Sequence, residues 1–499
     1  MRTGKAIAVV AVVVLIAVSS FAVYEVYYAT PSAPCRTIEG GGVLRTQLGG
    51  TTFGAVTEYA LPGPNRWANA IANGTDGSIW LAEQEVPGVA HFYPANRTLV
   101  EYSWPGYPAP KPPDCVPTLN VSGMAVWNGR VWAADEFDNR TVGLDPGDRS
   151  VVSVDSTGRA PFPYWLTVGP DGDLWFTSNN FAGQPARLGR ILPDMTLEVV
   201  DLIGLGNDQP LQLDFVNSTF ALLSTLNQAS NSTTHACQCT GHIYSFDPSD
   251  VGTAVTPSLV GGGYTLRLPT SLAYSNGSVW VTQHASSSLA RYDFATGSWT
   301  QFPTSIVSWI GTTLPYVIQE EGGALWFNEH YANKIALLNP EQGTLTEFSE
   351  SNPPIDDPTQ IQNDLSIVAS PQGLWFTSMT GNYLGFVSSS YDPGFSLLAS
   401  GNSTAKVLPG GIVSFNVGVS GVWTRPMNVN VSDSEDFESV PHAITITPSV
   451  AAIPQGVTSF NLGVSVSVGS EVSPGEYTLA VTVTNGSVQQ TAYLFVLVT

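Results

Sequence analysis

Gly323-Ala-Leu-Trp-Phe-Asn-Glu-His-Tyr-Ala-Asn-Lys-Ile335 is the stretch that decides how the rest of the chain reads. A glycine turn leads into an aliphatic-Trp-apolar strand, a polar loop follows, and Ile335-Ala-Leu-Leu-Asn339 begins a second alternating run. Pro340-Glu-Gln-Gly343 turns the chain into a third run, Thr344-Leu-Thr-Glu-Phe348. The Gly-x-aliphatic-Trp pattern recurs as Gly77-Ser-Ile-Trp80, Gly129-Arg-Val-Trp132, Gly172-Asp-Leu-Trp175, Gly277-Ser-Val-Trp280 and, one residue shorter, Gly373-Leu-Trp375. Asn217-Ser-Thr-Phe220 reads as a worn copy filling the gap between Trp175 and Trp280. Copies separated by 43 to 60 residues mark seven four-stranded units, the signature of a β-propeller. Each Trp is expected to pack between neighbouring units.

The two ends complete this picture. The last copy has no fourth strand after Tyr383–Val387, whereas Gly54-Ala-Val-Thr-Glu-Tyr-Ala-Leu-Pro62, ahead of the first copy, has the form of one. The N-terminal segment is therefore expected to close the last blade, which removes the open sheet edge. From Phe395 the repeat stops. Alternating runs at Val413-Ser-Phe-Asn-Val-Gly-Val419, Phe460-Asn-Leu-Gly-Val-Ser-Val466 and Tyr477-Thr-Leu-Ala-Val-Thr-Val483 suit an immunoglobulin-like sandwich. The expected fold class is all-β: a seven-bladed propeller over residues 51–394 and an Ig-like sandwich over 395–499. A signal-anchor helix over 1–30 and a linker over 31–50 precede them.

Composition agrees with an extracytoplasmic protein. Of 499 residues only 12% are charged, 40 Asp+Glu against 18 Lys+Arg, for a formal charge of −22. A surface that poor in cations excludes a phosphate-binding nucleic-acid protein. Arg2 and Lys5 precede an apolar run from Ala6 to Val23, and Tyr24, Tyr27 and Tyr28 follow it. This is the layout of a membrane span with its basic end inside, so residues 6–28 are expected to anchor the chain at the outer face of the membrane; cleavage there would leave a secreted protein. Sequons at Asn73, Asn96, Asn120, Asn139, Asn217, Asn231, Asn276, Asn402, Asn430 and Asn485 point to glycosylation on exposed turns. Cys35, Cys115, Cys237 and Cys239 allow disulfides in such a compartment, with three pairings open. Cys237-Gln238-Cys239, flanked by His235 and His242, is a weaker zinc motif.

The run Gly-x-Leu-Trp-Phe-x-Glu, then Asn-Lys-Ile and Gly-x-Leu-Thr-Glu-Phe, resembles the streptogramin B lyase (virginiamycin B lyase) propellers over roughly residues 54–387. That resemblance implies ring opening of a cyclic depsipeptide by elimination, with a His base and Mg²⁺. It also implies His after the Pro that opens two inner strands, and Glu ligands for the metal. The corresponding openings here are Pro163-Tyr164, Pro269-Thr270 and Pro315-Tyr316, none with His, and Ser378 stands at the last Trp-strand metal position. The resemblance therefore carries the fold further than it carries the chemistry.

The residues themselves offer other chemistry. His284 follows the Trp280 strand and Glu329-His330 follows the Trp326 strand, at equivalent points of neighbouring repeats. With Asp364 one repeat on, they could form an acid–base or metal site, His284 and His330 catalytic and Glu329 and Asp364 on Mg²⁺ or Ca²⁺. Glu83, Asp135 and Glu136 occupy comparable places in the first two repeats. Trp67, Tyr164, Trp165, Trp309 and Tyr316 fall at or before inner strands, where aromatic faces suit a glycan or peptide. The expected function is binding of a cell-envelope glycan, peptide or protein. The alternatives are a metal-dependent lyase or hydrolase and a structural envelope component.

Overall fold

The computed structural model describes residues 42–63, 68–83, 88–104, 121–179, 185–230, 237–262, 264–305, 313–351, 364–433 and 443–499. Residues 6–28, Cys35, Trp67, Cys115, Asn120, Asn231 and Trp309 lie outside them. Cys237 and Cys239 fall in the strand Cys237–Gly241, with their side chains outside the described set. The chain is almost wholly β. Among the described residues the helical element is the turn Pro248–Asp250, and no helix is long and apolar enough to cross a membrane.

Among the described residues seven sheets follow one another along residues 43–388, antiparallel except where Ala254–Val255 joins Leu197–Leu202 in parallel, and each has an innermost strand. These seven are Ala68–Asn73, Val121–Trp127, Pro163–Val168, Gln209–Asn217, Pro269–Ser275, Pro315–Glu321 and Asp364–Ser370. Each packs beside the next, and the seventh packs beside the first, so the sheets form a closed ring. All seven line one central cavity of about 610 Å³.

The repeated Trp explains the ring. It lies in the second strand of six sheets, buried, and each copy joins a hydrophobic cluster with the following sheet. Trp80 meets Val121 and Met124, Trp175 meets Leu213, and Trp326 meets Ile367. Trp375 meets Ile71 and Leu81 of the first sheet, which closes the circle. The fourth sheet corrects the reading of the worn copy. The pairing of Pro210 with Thr225 and Leu213 with Leu223 matches that of Pro163 with Ser178 and Leu166 with Phe176. Leu222, not Phe220, thus stands where the other sheets carry Trp, and it packs against Leu272 and Val281 of the fifth sheet. The signal there is Leu-Leu-Ser-Thr, an analogue of Trp-Phe-Thr-Ser without its aromatics.

Both chain ends are woven into the ring. Val56–Ala60 pairs antiparallel with Tyr383–Ser388 as the fourth strand of the seventh sheet, and Gly50–Phe53 adds a fifth. Val43–Gln47, placed in a linker from the sequence, is instead a strand that pairs with Thr98–Ser103 on the outside of the first sheet.

Residues 395–499 form two packed sheets. Phe395–Ala399, Ile412–Gly421, Ser459–Val468 and Ile444–Pro448 make one. Thr404–Val407, Val488–Val498, Gly475–Asn485, Met427–Asp433 and Ala452–Ile453 make the other. Their inward residues, among them Phe415, Val417, Leu462, Val464, Leu479 and Leu494, share one core. The second sheet does not stop at its edge. Val488–Val498 also pairs with Thr344–Ser349, the outer strand of the sixth ring sheet, from Phe348 opposite Val488 to Thr344 opposite Ala492. Tyr493 is buried against Phe302 and donates its hydroxyl to the Pro303 carbonyl at 2.8 Å.

Candidate functional site

Every inner strand carries an irregularity at its opening, where two residues, or one in the first and seventh sheets, bulge out of register against the second strand. Bulges re-aim side chains, and here they carry Tyr164-Trp165 and Tyr316-Val317 at one mouth of the ring. In three sheets the residue before the opening proline has a left-handed backbone: Phe162 (φ 55°), Leu268 (φ 52°) and Leu314 (φ 52°). That conformation is costly for a large side chain, and costlier still before proline. It persists because each carbonyl is taken by a backbone N–H at the end of the second strand: Asn179 at 2.9 Å, His284 at 3.0 Å and His330 at 3.3 Å. Strained turns thus fix the backbone of both histidines.

The side chains of that mouth form a compact cluster. His284 and His330 meet edge to face with ring centroids 4.7 Å apart, and Tyr316 lies 5.2 Å from each. The Tyr316 hydroxyl shares a 2.9 Å hydrogen bond with that of Tyr164, which comes from the third sheet, nearly opposite the sixth. Glu136, with Ser122 donating to its carboxylate, adds charge near both phenols. His284 is 1% exposed and His330 7%. Both ring nitrogens of His284, and Nδ1 of His330, have no hydrogen-bond partner among the described residues. Burial holds His330 down at about 3, and burial together with His330 holds His284 well below the usual imidazole range, so both are neutral. Burial likewise raises both phenols, which stay protonated.

The two carboxylates expected beside these histidines have other partners. Glu329 accepts from Thr313 Oγ1 at 3.3 Å and abuts Glu347, and burial plus the Glu347 charge push it well above the usual carboxylate range. Burial alone would raise Glu347 too, but Lys334 at 3.5 Å and hydrogen bonds from Ser305 and from Gln489 at 2.7 Å hold it down. Asp364 abuts Glu350 and Ser378, and Glu350 takes the Tyr383 hydroxyl. Alternation along the strand turns Glu329 away from its neighbour His330. Among the described residues no three His, Cys, Asp or Glu side chains converge as a metal site. The Mg²⁺ that the resemblance implies does not fit here, because Ser378 stands at the last Trp-strand metal position and Glu329 is engaged with Thr313 and Glu347, and no step is derived through it.

The remaining expected residues are placed as follows. Trp165 lines the central cavity, half-buried. Asp135 is fully buried with Arg140 at 3.3 Å, a structural pair rather than part of an open acidic rim. Asn96, Asn217, Asn276, Asn402 and Asn430 are exposed, and Asn139 and Asn485 are half-buried. Asn73 commits its amide to the Ala369 carbonyl of the adjoining seventh sheet at 2.8 Å. What the sequence did not reveal is the convergence of Tyr164 with Tyr316 and the two histidines, which depends on ring closure across sheets. Its traces were the recurring Pro-Tyr openings and the equivalent places of His284 and His330 after neighbouring Trp strands.

No protein-family profile matches this chain, and no curated protein matches it. Among solved structures, selenomethionine-substituted virginiamycin B lyase from Staphylococcus aureus is similar at TM-score 0.50 and 19% identity, covering 67% of this chain and 98% of that one. A catalytically inactive variant of that enzyme with quinupristin (TM-score 0.49, 18% identity, 67% and 98% covered) and a streptogramin B lyase (0.48, 17%, 66% and 96%) are also similar. At these identities the likeness shows a propeller-like fold.

Proposed function

We propose that this chain is a membrane-tethered, glycosylated seven-bladed propeller with an Ig-like sandwich, which binds an envelope glycan, peptide or protein at the Tyr164–Tyr316 mouth. The observation that carries this reading is the buried cluster of neutral imidazoles between aromatic rings, with nitrogens that have no partner among the described residues. Buried polar atoms without partners are costly, and a ligand hydroxyl or amide would satisfy them. Trp165 and the two tyrosines offer stacking faces beside them. Residues 6–28 would hold the chain at the outer face of the membrane.

The fold likeness supports a second reading, depsipeptide elimination. Against it stand Tyr164, Thr270 and Tyr316 at the three openings where the resemblance wants a histidine base. A base needs proton affinity near the working pH, which phenols and buried neutral imidazoles lack.

Two measurements test this. The full-length chain is probed against envelope glycans and peptides, and Trp165→Ala is expected to weaken the binding it finds at least tenfold. Incubation with quinupristin is expected to leave the ring intact by chromatographic retention. Catalytic opening lost in His284→Ala would replace the binding reading with the lyase.

A further inference from the structure

At the far end of the inner strands, away from the bulged openings, the fifth sheet carries an aromatic patch. Tyr274, Val279, Tyr292 and Trp299 form one rung across that sheet and cap the core between the fourth and fifth sheets. That packing accounts for their partial burial. It does not account for Phe294, which stands outside the cluster and is 38% exposed. Phe294 meets Phe220, Tyr274 and Tyr292 at ring-centroid distances of 5.6, 6.2 and 5.1 Å. Counted from the residue paired with the repeated Trp or Leu222, five of the other six sheets have proline at this place: Pro94, Pro146, Pro193, Pro248 and Pro340. The turn therefore sets no demand for an aromatic ring. An exposed ring continuous with half-buried ones marks a surface that is covered by something.

Two glycosylation sequons flank the patch. Asn217 pairs directly opposite Phe220 at the turn of the fourth sheet, which sets both side chains on one face with Cβ atoms about 5 Å apart. Asn217, Ser218 and Thr219 are all exposed. The Asn217 Oδ1 accepts from the backbone N–H and the hydroxyl of Thr219 at 2.9 and 3.0 Å, and its Nδ2 has no hydrogen-bond partner among the described residues. On the other side, Asn276 and Gly277 make the left-handed turn after Tyr274 (φ 49° and 75°), and the Gly277 carbonyl takes the Phe294 N–H at 3.1 Å. Ser278 of that second sequon is buried in its strand, so Asn217 is the sequon open to a transferase in the folded chain. We propose that Asn217 carries an N-linked glycan whose first sugar lies on Phe220 and Phe294, the patch being the docking face for the chain's own glycan. Attachment exchanges one Nδ2 hydrogen for the anomeric carbon of a lipid-linked glycosyl donor, whose phosphate leaves with the proton. The apolar C–H face of a pyranose then covers the rings, while its hydroxyls stay in water. Because the sugar is tethered one side chain away, a weak stacking contact suffices to hold it. The proposal rests on the reading of the chain as glycosylated and deepens it by giving one sequon a structural role.

The test uses the full-length chain from an N-glycosylating host, with Asn276→Gln so that only Asn217 of the pair can be modified. Mass spectrometry of the Asn217 peptide is expected to show a glycan. Hydroxyl-radical labelling of Phe220 and Phe294 should be slower in that chain than in one that also carries Asn217→Gln. The ring protons of the first sugar should be shifted upfield by the aromatic ring current. Phe294→Ser, a change at an exposed turn, should keep the fold and the glycan but reduce the upfield shift. Loss of the glycan in Asn217→Gln should lower the melting temperature by about 2 °C, and by less in the Phe294→Ser chain. A modified Asn217 with unshifted sugar protons and equal labelling with and without the glycan overturns the proposal and leaves the glycosylated reading standing. An unmodified Asn217 in a chain modified at other sequons also overturns the proposal alone, and a chain modified at none overturns both.

Discussion

At the residue after each repeated Trp, a large side chain faces a small one on the third strand. Leu81 faces Ala90, Phe176 faces Gly189, Val281 faces Ala290, Phe327 faces Ala336 and Phe376 faces Gly385. In the second sheet the order inverts, with Ala133 facing Val142. A Cβ on Gly189 would lie 2.0 Å from Phe176 Cζ, and one on Gly385 would lie 2.1 Å from Phe376 Cζ. Gly189→Ala is therefore expected to destabilise the chain by about 1–3 kcal/mol. Phe176→Leu in the same chain should recover part of that loss, as a double-mutant thermal-unfolding cycle would measure. His91 belongs at this scale too. Buried against Trp80 with Nε2 on Ser78 Oγ, it is held down to about 4 by burial. Its folded value lies below the unfolded one, so its contribution is complete above about pH 6.5 and is lost as pH falls toward 4. His91→Phe, which keeps the stacking, should remove that part of the acid sensitivity of the melting temperature.

Between elements, the junction of the sandwich with the sixth sheet is the feature least visible in the sequence. An alternating run such as Val488–Val498 announces a strand but not which edge it will find, because pairing partners are chosen by tertiary placement. The Trp repeat was legible because it marks the same second strand each time. The fourth sheet was read two residues out of place because Leu222 keeps the apolar role without the aromatic signal. The mouth was legible only in part, for the Tyr164–Tyr316 bond joins residues 152 apart. If the sandwich shields the sixth sheet, amides of Thr344–Ser349 should exchange as slowly as those of the buried second strands. Tyr493→Ala should speed that exchange selectively while costing about 3–5 kcal/mol. Equal exchange in parent and variant would mean the two units do not share stability.

For the whole molecule, the ring closes where acidic groups gather with no cation beside them among the described residues. Glu350, Asp364, Ser378, Tyr383 and, through Ser351, Glu58 meet between the sixth and seventh sheets. Burial raises Asp364 to about 6, and burial with the Asp364 charge raises Glu350 well above the carboxylate range. Folded values above the unfolded ones mean the pair stabilises the ring fully below about pH 4. That contribution is lost as pH rises through 6 and beyond. Glu350→Gln should flatten the decline in melting temperature between pH 4 and pH 7, and an unaltered decline would refute the assignment.

The seventh sheet has a further consequence, one of timing. Its fourth strand, Val56–Ala60, leaves the ribosome some three hundred residues before Tyr383–Ser388, the strand it must pair with. During synthesis that strand waits as an unpaired edge while six sheets assemble without their closing partner. The ring can therefore lock only late, and the nascent chain is most exposed to mispairing and proteolysis in that interval.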